Sequence, residues 1–132
     1  MAEIKTQIKI TSNQATASTP GPLTFALSLD NTDDLTVNGK VVAEVEEVTT
    51  THGDHKIFDA SVLGEAYVYL NNISDTNIFV TNSSGADSAA NRFMMLKPGE
   101  AAFFPWAGGQ DMYLDHGSSG TKKCEYFIFL QA

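Results

Sequence analysis

Hydrophobic and polar positions alternate with period two along much of this chain. Ala66, Val68 and Leu70 fall on one side and Tyr67 and Tyr69 on the other, and Ile78 and Val80 repeat the pattern against Asn77 and Phe79. Aromatic and β-branched residues at this period predict strands with one face in a core. Between them lie Asn71, Asn72, Ile73, Ser74, Asp75 and Thr76, several of which bond their own backbone, so a turn closing a β-hairpin is predicted. The same alternation runs through residues 3–10 (Ile4, Thr6, Ile8, Ile10 against Lys5, Gln7, Lys9), residues 23–29 (Leu23, Phe25, Leu27, Leu29 inward) and residues 124–130 (Cys124, Tyr126, Ile128, Leu130 against Glu125, Phe127, Phe129). Asn38-Gly39 is the strongest two-residue hairpin signal in the chain. The pattern slips at Glu46-Glu47, which predicts a bulge. Lys97-Pro98-Gly99-Glu100 has Pro and Gly where a type II turn needs them. A single helical turn is predicted in residues 57–62.

Roughly nine or ten short strands, spaced about 8–12 residues apart, make an all-β fold. The expectation is a single-domain antiparallel β-sandwich, jelly-roll-like, over residues 22–132. An N-terminal strand and a flexible polar arm, residues 1–21, precede it. The predicted core is Leu23, Phe25, Leu27, Val68, Leu70, Ile78, Val80, Met94, Leu96, Phe103, Ile128 and Leu130. At 132 residues the chain is one domain, long enough to bury such a core.

Charge narrows the partners. Sixteen acidic against eight basic residues give a net charge of −8. That argues against nucleic acid, whose affinity comes largely from Lys and Arg neutralising phosphates, and against an anionic membrane. Cys124 is the only cysteine, so no intrachain disulfide can form, which fits synthesis in a reducing cytoplasm. No secretory signal is visible, and no apolar run reaches the ~18–20 residues of a spanning helix.

Candidate chemistry is sparse. His52, Asp54 and His55, with Asp59 or His116 as further ligands, are the best metal candidates, but their spacing matches no zinc pattern and a solvated turn explains them. Asp30, Asp33 and Asp34 supply oxygen ligands without the Gly and Glu of a calcium loop. Asp115, His116 and Ser118 invite comparison with a hydrolytic triad, yet neighbours on one short loop do not readily line up as orienter, base and nucleophile. Cys124 alternates with core residues and reads as a small buried hydrophobe. Trp106 with Phe103, Phe104 and Tyr113 could stack a sugar; an apolar surface cluster more often marks a protein interface. The expectation is no enzyme, cofactor, metal or small-molecule ligand. Interface candidates are Phe104, Trp106, Tyr126, Phe127 and Phe129, because residues 126–130 are apolar on both faces and the loop at 104–106 is more apolar than a free turn needs.

From about His52 onward the chain resembles a set of small virion proteins of tailed bacteriophages. The likeness is carried by Tyr67 to Asn71, the Asn-rich turn at 72–77, Ile78 to Thr81, Leu96-Lys97-Pro98-Gly99-Glu100, and Cys124 to Leu130. The resemblance implies a virion structural protein made in the host cytoplasm, of the capsid decoration (cement) kind, that docks on the major capsid protein or another virion protein. A homo-oligomer is expected, a trimer first because icosahedral shells offer three-fold sites. The polar arm at residues 11–22 is of a kind that orders on docking. The alternatives are a carbohydrate-binding or host-adhesion module of a phage tail, then a cupin-type enzyme. The last needs inward-facing His and Glu on strands, whereas all three histidines fall in predicted loops.

Overall fold

The computed structural model describes residues 2–5, 7–11, 26–30, 35–49, 55–84 and 89–132. Among the described residues there are eleven strands: β1 (Ala2–Ile4), β2 (Gln7–Thr11), β3 (Ala26–Asp30), β4 (Leu35–Val48), β5 (His55–Phe58), β6 (Ala66–Asn72), β7 (Ile78–Thr81), β8 (Arg92–Leu96), β9 (Ala101–Trp106), β10 (Met112–His116) and β11 (Lys122–Gln131). They form a five-stranded sheet ordered β1-β4-β11-β6-β9, a four-stranded sheet ordered β5-β10-β7-β8, and the two-stranded ribbon β2-β3. Every pairing is antiparallel. The two larger sheets enclose one core, so the all-β sandwich expected from the sequence is present. From β4 onward the pairing runs outside-in: β4 with β11, β5 with β10, β6 with β9, and β7 with β8.

Alternation places the core as expected where one face is clearly apolar. Ala66, Val68 and Leu70 on β6, Ile78 and Val80 on β7, Leu96 on β8, and Cys124, Tyr126 and Ile128 on β11 are buried. Met94 and Leu130 pack against this cluster from its margin. Val48, Ile57, Phe58, Met112 and Leu114 complete it. Leu23 and Phe25 lie outside the described residues; Leu27 lies on β3.

Five local expectations are corrected. Residues 66–80 are not a hairpin: β6 pairs with β11 and β9, whereas β7 pairs with β10 and β8 in the opposite sheet. The turn between them is an arch that carries the chain across the core. Asn38-Gly39 is not a turn either, because β4 runs straight through it as one strand. Its backbone freedom is spent on a bulge. Phe129 pairs with Val41 and Gln131 with Val37, so β4 spends four residues where β11 spends two. Conversely, pairing is unbroken at Glu46-Glu47, which face Cys124 and Lys123 in regular register. Finally, Phe103 sits on the outer face and is 37% exposed, while its neighbours Ala102 and Phe104 face the core. The predicted strand at residues 3–10 is also divided, β1 joining β4 and β2 joining β3.

One turn matches its sequence reading in full and one in part. Gly99 adopts φ of 79°, and the Glu100 N–H donates to the Lys97 carbonyl at 3.0 Å, as a type II turn requires. The turn predicted in residues 57–62 is met in part: Ile57 and Phe58 belong to β5, and a single turn follows it, with the N–H of Leu63 donating to the Asp59 carbonyl at 2.8 Å.

Asn72 anchors the arch. It is fully buried at the end of β6. Its Nδ2 donates to the Thr76 carbonyl at 2.7 Å and to the Leu96 carbonyl at 2.8 Å. Its Oδ1 accepts from the Ser74 N–H at 2.9 Å and the Ser74 hydroxyl at 2.7 Å. Its backbone N–H donates to the Glu100 carbonyl and its carbonyl accepts from the Gly99 N–H. One residue thus ties the arch and the end of β8 through its side chain and the type II turn through its backbone.

Candidate functional site

The outer face of the five-stranded sheet is an extended apolar surface. Register across β4, β11, β6 and β9 lines up Val41, Phe129, Tyr67 and Pro105 in one row. The next row is Ala43, Phe127, Tyr69 and Phe103, and the third is Val45, Glu125, Asn71 and Ala101. A sandwich sheet with a solvated outer face normally carries polar residues there. Here one charged residue, Glu125, lies in the three rows, and its carboxylate accepts from Asn71 Nδ2 at 3.2 Å. The rings are ordered against one another: Tyr67 stacks on Phe103 with centroids 6.0 Å apart, and Tyr69 on Phe127 at 5.2 Å. Such stacking adds about 0.5–1.5 kcal/mol per pair beyond area burial. Ile4, Lys5 and Gln7, where the chain passes from β1 into β2, border this face. Together with Tyr69, Phe103, Phe127 and Phe129 they line a groove of about 520 Å³.

Of the interface candidates, Phe127 and Phe129 lie on this face. Phe104, Trp106 and Tyr126 do not, because β9 and β11 turn them inward. Tyr126 is 5% exposed and donates to Glu44 Oε2 at 3.0 Å. Phe104 and Trp106 pack against the core. Trp106 meets Phe58 and Phe104 edge-on and stacks on Phe93 at 5.9 Å, and its Nε1–H donates to the Gln110 carbonyl. An indole engaged in this way is no free platform for a sugar. Tyr67, Tyr69 and Phe103 were not named as interface candidates. The pairing register would have found them, because residues opposite Phe127 and Phe129 must share their face.

A second apolar patch lies on the four-stranded sheet. Phe93 is 46% and Met95 45% exposed on β8, at the end of that sheet. Beside them Arg92 lies 3.9 Å over the Phe79 ring and holds Asp115 Oδ2 through Nε at 2.9 Å and Nη2 at 2.6 Å. Asp115 is fully buried.

The remaining candidates are accounted for by the fold. The Val48 carbonyl can only accept, so His116 Nε2 donates to it, at 3.2 Å. His116 Nδ1 then accepts the Ser118 backbone N–H at 3.4 Å. Both ring nitrogens are engaged, neither with the Ser118 hydroxyl, so Asp115, His116 and Ser118 are not arranged as a triad. His55 Nε2 accepts from the Thr49 N–H at 3.1 Å while Nδ1 bonds Glu46 at 2.7 Å. His52, Asp54, Asp33 and Asp34 lie outside the described residues, and Asp30 ends β3. Among the described residues no three His, Cys, Asp or Glu side chains converge to hold a metal ion.

Two groups give testable chemistry. Burial pushes the Cys124 thiol up to about 11. Ellman's reagent at about pH 8 is therefore expected to leave the native chain unlabelled and to label one thiol after denaturation, since an exposed thiol ionises near pH 8.5. At the opposite end, Asp111 accepts from Lys56 Nζ at 2.8 Å, from the Ala60 N–H at 2.8 Å and from the Tyr113 hydroxyl at 3.2 Å. The Lys56 hydrogen bond, then that of Ala60, holds the carboxyl below the usual carboxylate range. A depressed carboxyl stabilises the fold above its unfolded value near 4, and the contribution is lost as pH falls through the folded value. Thermal melts at about pH 5 and about pH 3 should show a smaller acid-induced drop in Asp111→Asn than in the wild type.

Comparison with protein-family models, curated proteins and solved structures found no match for the chain.

Proposed function

We propose that this chain is a non-enzymatic structural protein of a tailed-phage particle, a decoration protein that docks on the outer surface of the capsid and stabilises it. The observation that supports this best is apolar surface at two separate places on an acidic chain: the aromatic rows of the outer sheet and the Phe93–Met95 patch on β8. Contiguous exposed apolar surface marks sites that meet other macromolecules. The outside-in pairing of β4 to β11 gives this surface a context. We read it as the winding of a jelly roll, an architecture shared by capsid and lectin domains. In this reading the protein is made in the host cytoplasm, works in the virion as a homo-oligomer and contacts the major capsid protein.

Co-sedimentation with purified capsids tests the proposal. Saturable binding, weakened at least tenfold in Phe93→Glu with the fold intact by circular dichroism, is the expected result. Absence of binding to capsids of any assembly state overturns it. The second reading, a carbohydrate-binding module for host adhesion, is favoured by the stacked pairs Tyr67–Phe103 and Tyr69–Phe127 beside the groove, because sugar rings pack on such faces. Glycan binding lost in Tyr69→Ala, with no capsid binding, would select it.

A further inference from the structure

One peptide unit of this fold is held from both sides by histidines. The Val48 carbonyl accepts from His116 Nε2 at 3.2 Å, and the Thr49 N–H, on the same peptide, donates to His55 Nε2 at 3.1 Å. The two rings therefore carry opposite tautomers. His116 has its proton on Nε2, and its Nδ1 accepts the Ser118 N–H at 3.4 Å. His55 has its proton on Nδ1, which bonds Glu46 Oε1 at 2.7 Å. Both rings are neutral in these forms. The peptide they hold lies at a crossing: β4 ends at Val48 in the five-stranded sheet, and β5 begins at His55 in the four-stranded sheet. We propose that the Val48–Thr49 peptide is a pH-sensitive latch on this crossing, closed while His55 and His116 are neutral and released when they take up protons.

Acid acts on each ring in its own way. A proton on His55 Nε2 meets the Thr49 N–H donor to donor. The ring can give that proton to Thr49 Oγ1, 3.3 Å away, and keep Glu46, so the peptide N–H is the group let go. His116 is fully buried, and among the described residues its ring bonds no carboxylate. A proton on its Nδ1 ejects the Ser118 N–H and leaves a buried charge that no anion offsets. The charges on the surrounding elements are engaged elsewhere. Lys122 on β11, opposite Val48, binds Asp75 of the arch, and Lys123 binds Glu47 of β4. Lys56 of β5 binds Asp111, and Asp115 of β10 binds Arg92 of β8. Among the described residues Glu46 is the one carboxylate bonded to either ring, and it meets His55. His116 therefore sets the sign. The open state accepts a proton there that the closed state excludes, so the latch loses stability as pH falls. Its release frees the start of β5, which carries Ile57 and Phe58 into the core.

Amide hydrogen exchange followed by NMR on the full chain tests the latch, with no capsid involved, so its failure leaves the capsid proposal to its own test. Between about pH 7.5 and about pH 5 imidazoles change charge while most carboxylates stay ionised. Over that range the protection of the Thr49 N–H, corrected for the pH dependence of exchange itself, should fall by at least about fivefold. Val68 and Ile128, in the middle of the five-stranded sheet, should keep theirs. Glutamine in place of His116 keeps a donor for the Val48 carbonyl, and in place of His55 an acceptor for the Thr49 N–H, but neither titrates. The double variant His55→Gln/His116→Gln should hold Thr49 protection constant. If it loses its β-sheet circular dichroism, His55→Gln alone, at the less buried position, replaces it and should weaken the response. His52→Gln removes the third histidine and should leave the response intact. Three results would each overturn the proposal: constant Thr49 protection in the wild type, a response unchanged in the glutamine variants at 55 and 116, or a response abolished by His52→Gln.

Discussion

Asn72→Ala is expected to destabilise the fold by about 3–5 kcal/mol and to lower the melting temperature by about 10–20 °C. The change removes two donors and one acceptor from a site with no exposed surface. The carbonyls of Thr76 and Leu96 and the N–H of Ser74 each lose a partner, and a buried polar group left unsatisfied costs about 1–3 kcal/mol. The cost falls on the arch joining the two sheets, so unfolding should stay cooperative. Calorimetry or thermal circular dichroism measures it. A loss below about 1 kcal/mol would mean that water replaces the amide and that the arch is held by its backbone alone.

Arg92→Met is expected to cost a similar amount, about 3–5 kcal/mol, for an electrostatic reason. Asp115 is fully buried and receives two hydrogen bonds from the guanidinium of Arg92. Methionine fills comparable volume over Phe79 but leaves the buried carboxylate without its cation. The pair itself contributes far less than this loss, because bringing both charges out of water offsets most of their attraction. The double variant Arg92→Met/Asp115→Leu should therefore recover much of the stability lost in the single one. Chemical denaturation of the four species gives the coupling directly. A double variant no better than Arg92→Met alone would show that the loss lies in packing over Phe79.

The sequence was most legible where one face of a strand is apolar and the other is not. Cys124 and Ile128 were placed inward by alternation, and the structure buries them; Tyr126, which follows the same alternation but was named an interface candidate, is buried with them. Phe103 and Phe104 defeated this logic, since two adjacent aromatics fit either phase. Burial beside Val68 and exposure beside Tyr69 are fixed by the neighbouring strand, not by β9 itself. The arch was misread for a related reason. Asn71 to Thr76 announce a change of direction, but local backbone preference carries no information about which sheet receives the next strand. Asn38-Gly39 shows the same limit: a pair that tolerates unusual backbone geometry serves a bulge as well as a turn, and the long partner β11 decides which. The candidate site was half legible for this reason. Phe127 and Phe129 were visible as excess apolarity in one strand, whereas their partners Tyr67, Tyr69 and Phe103 became visible only through pairing.

The outside-in pairing also fixes the order in which the chain can be completed. β7 and β8 are neighbours in sequence, but β11 lies between β4 and β6 in the sheet and pairs along its length with residues some eighty positions earlier. Tyr126 and Glu44, joined by a hydrogen bond, are 82 residues apart. Non-local pairing of this kind places folding in the millisecond-to-second range, since loop-closure entropy is lost before any contact offsets it. At about 5–20 residues per second on the ribosome, the earlier strands wait several seconds for residues 122–131. Until then β4 and β6 both present open edges and Val68, Leu70 and Phe104 lack their central neighbour. A net charge of −8 opposes association between chains that expose such edges.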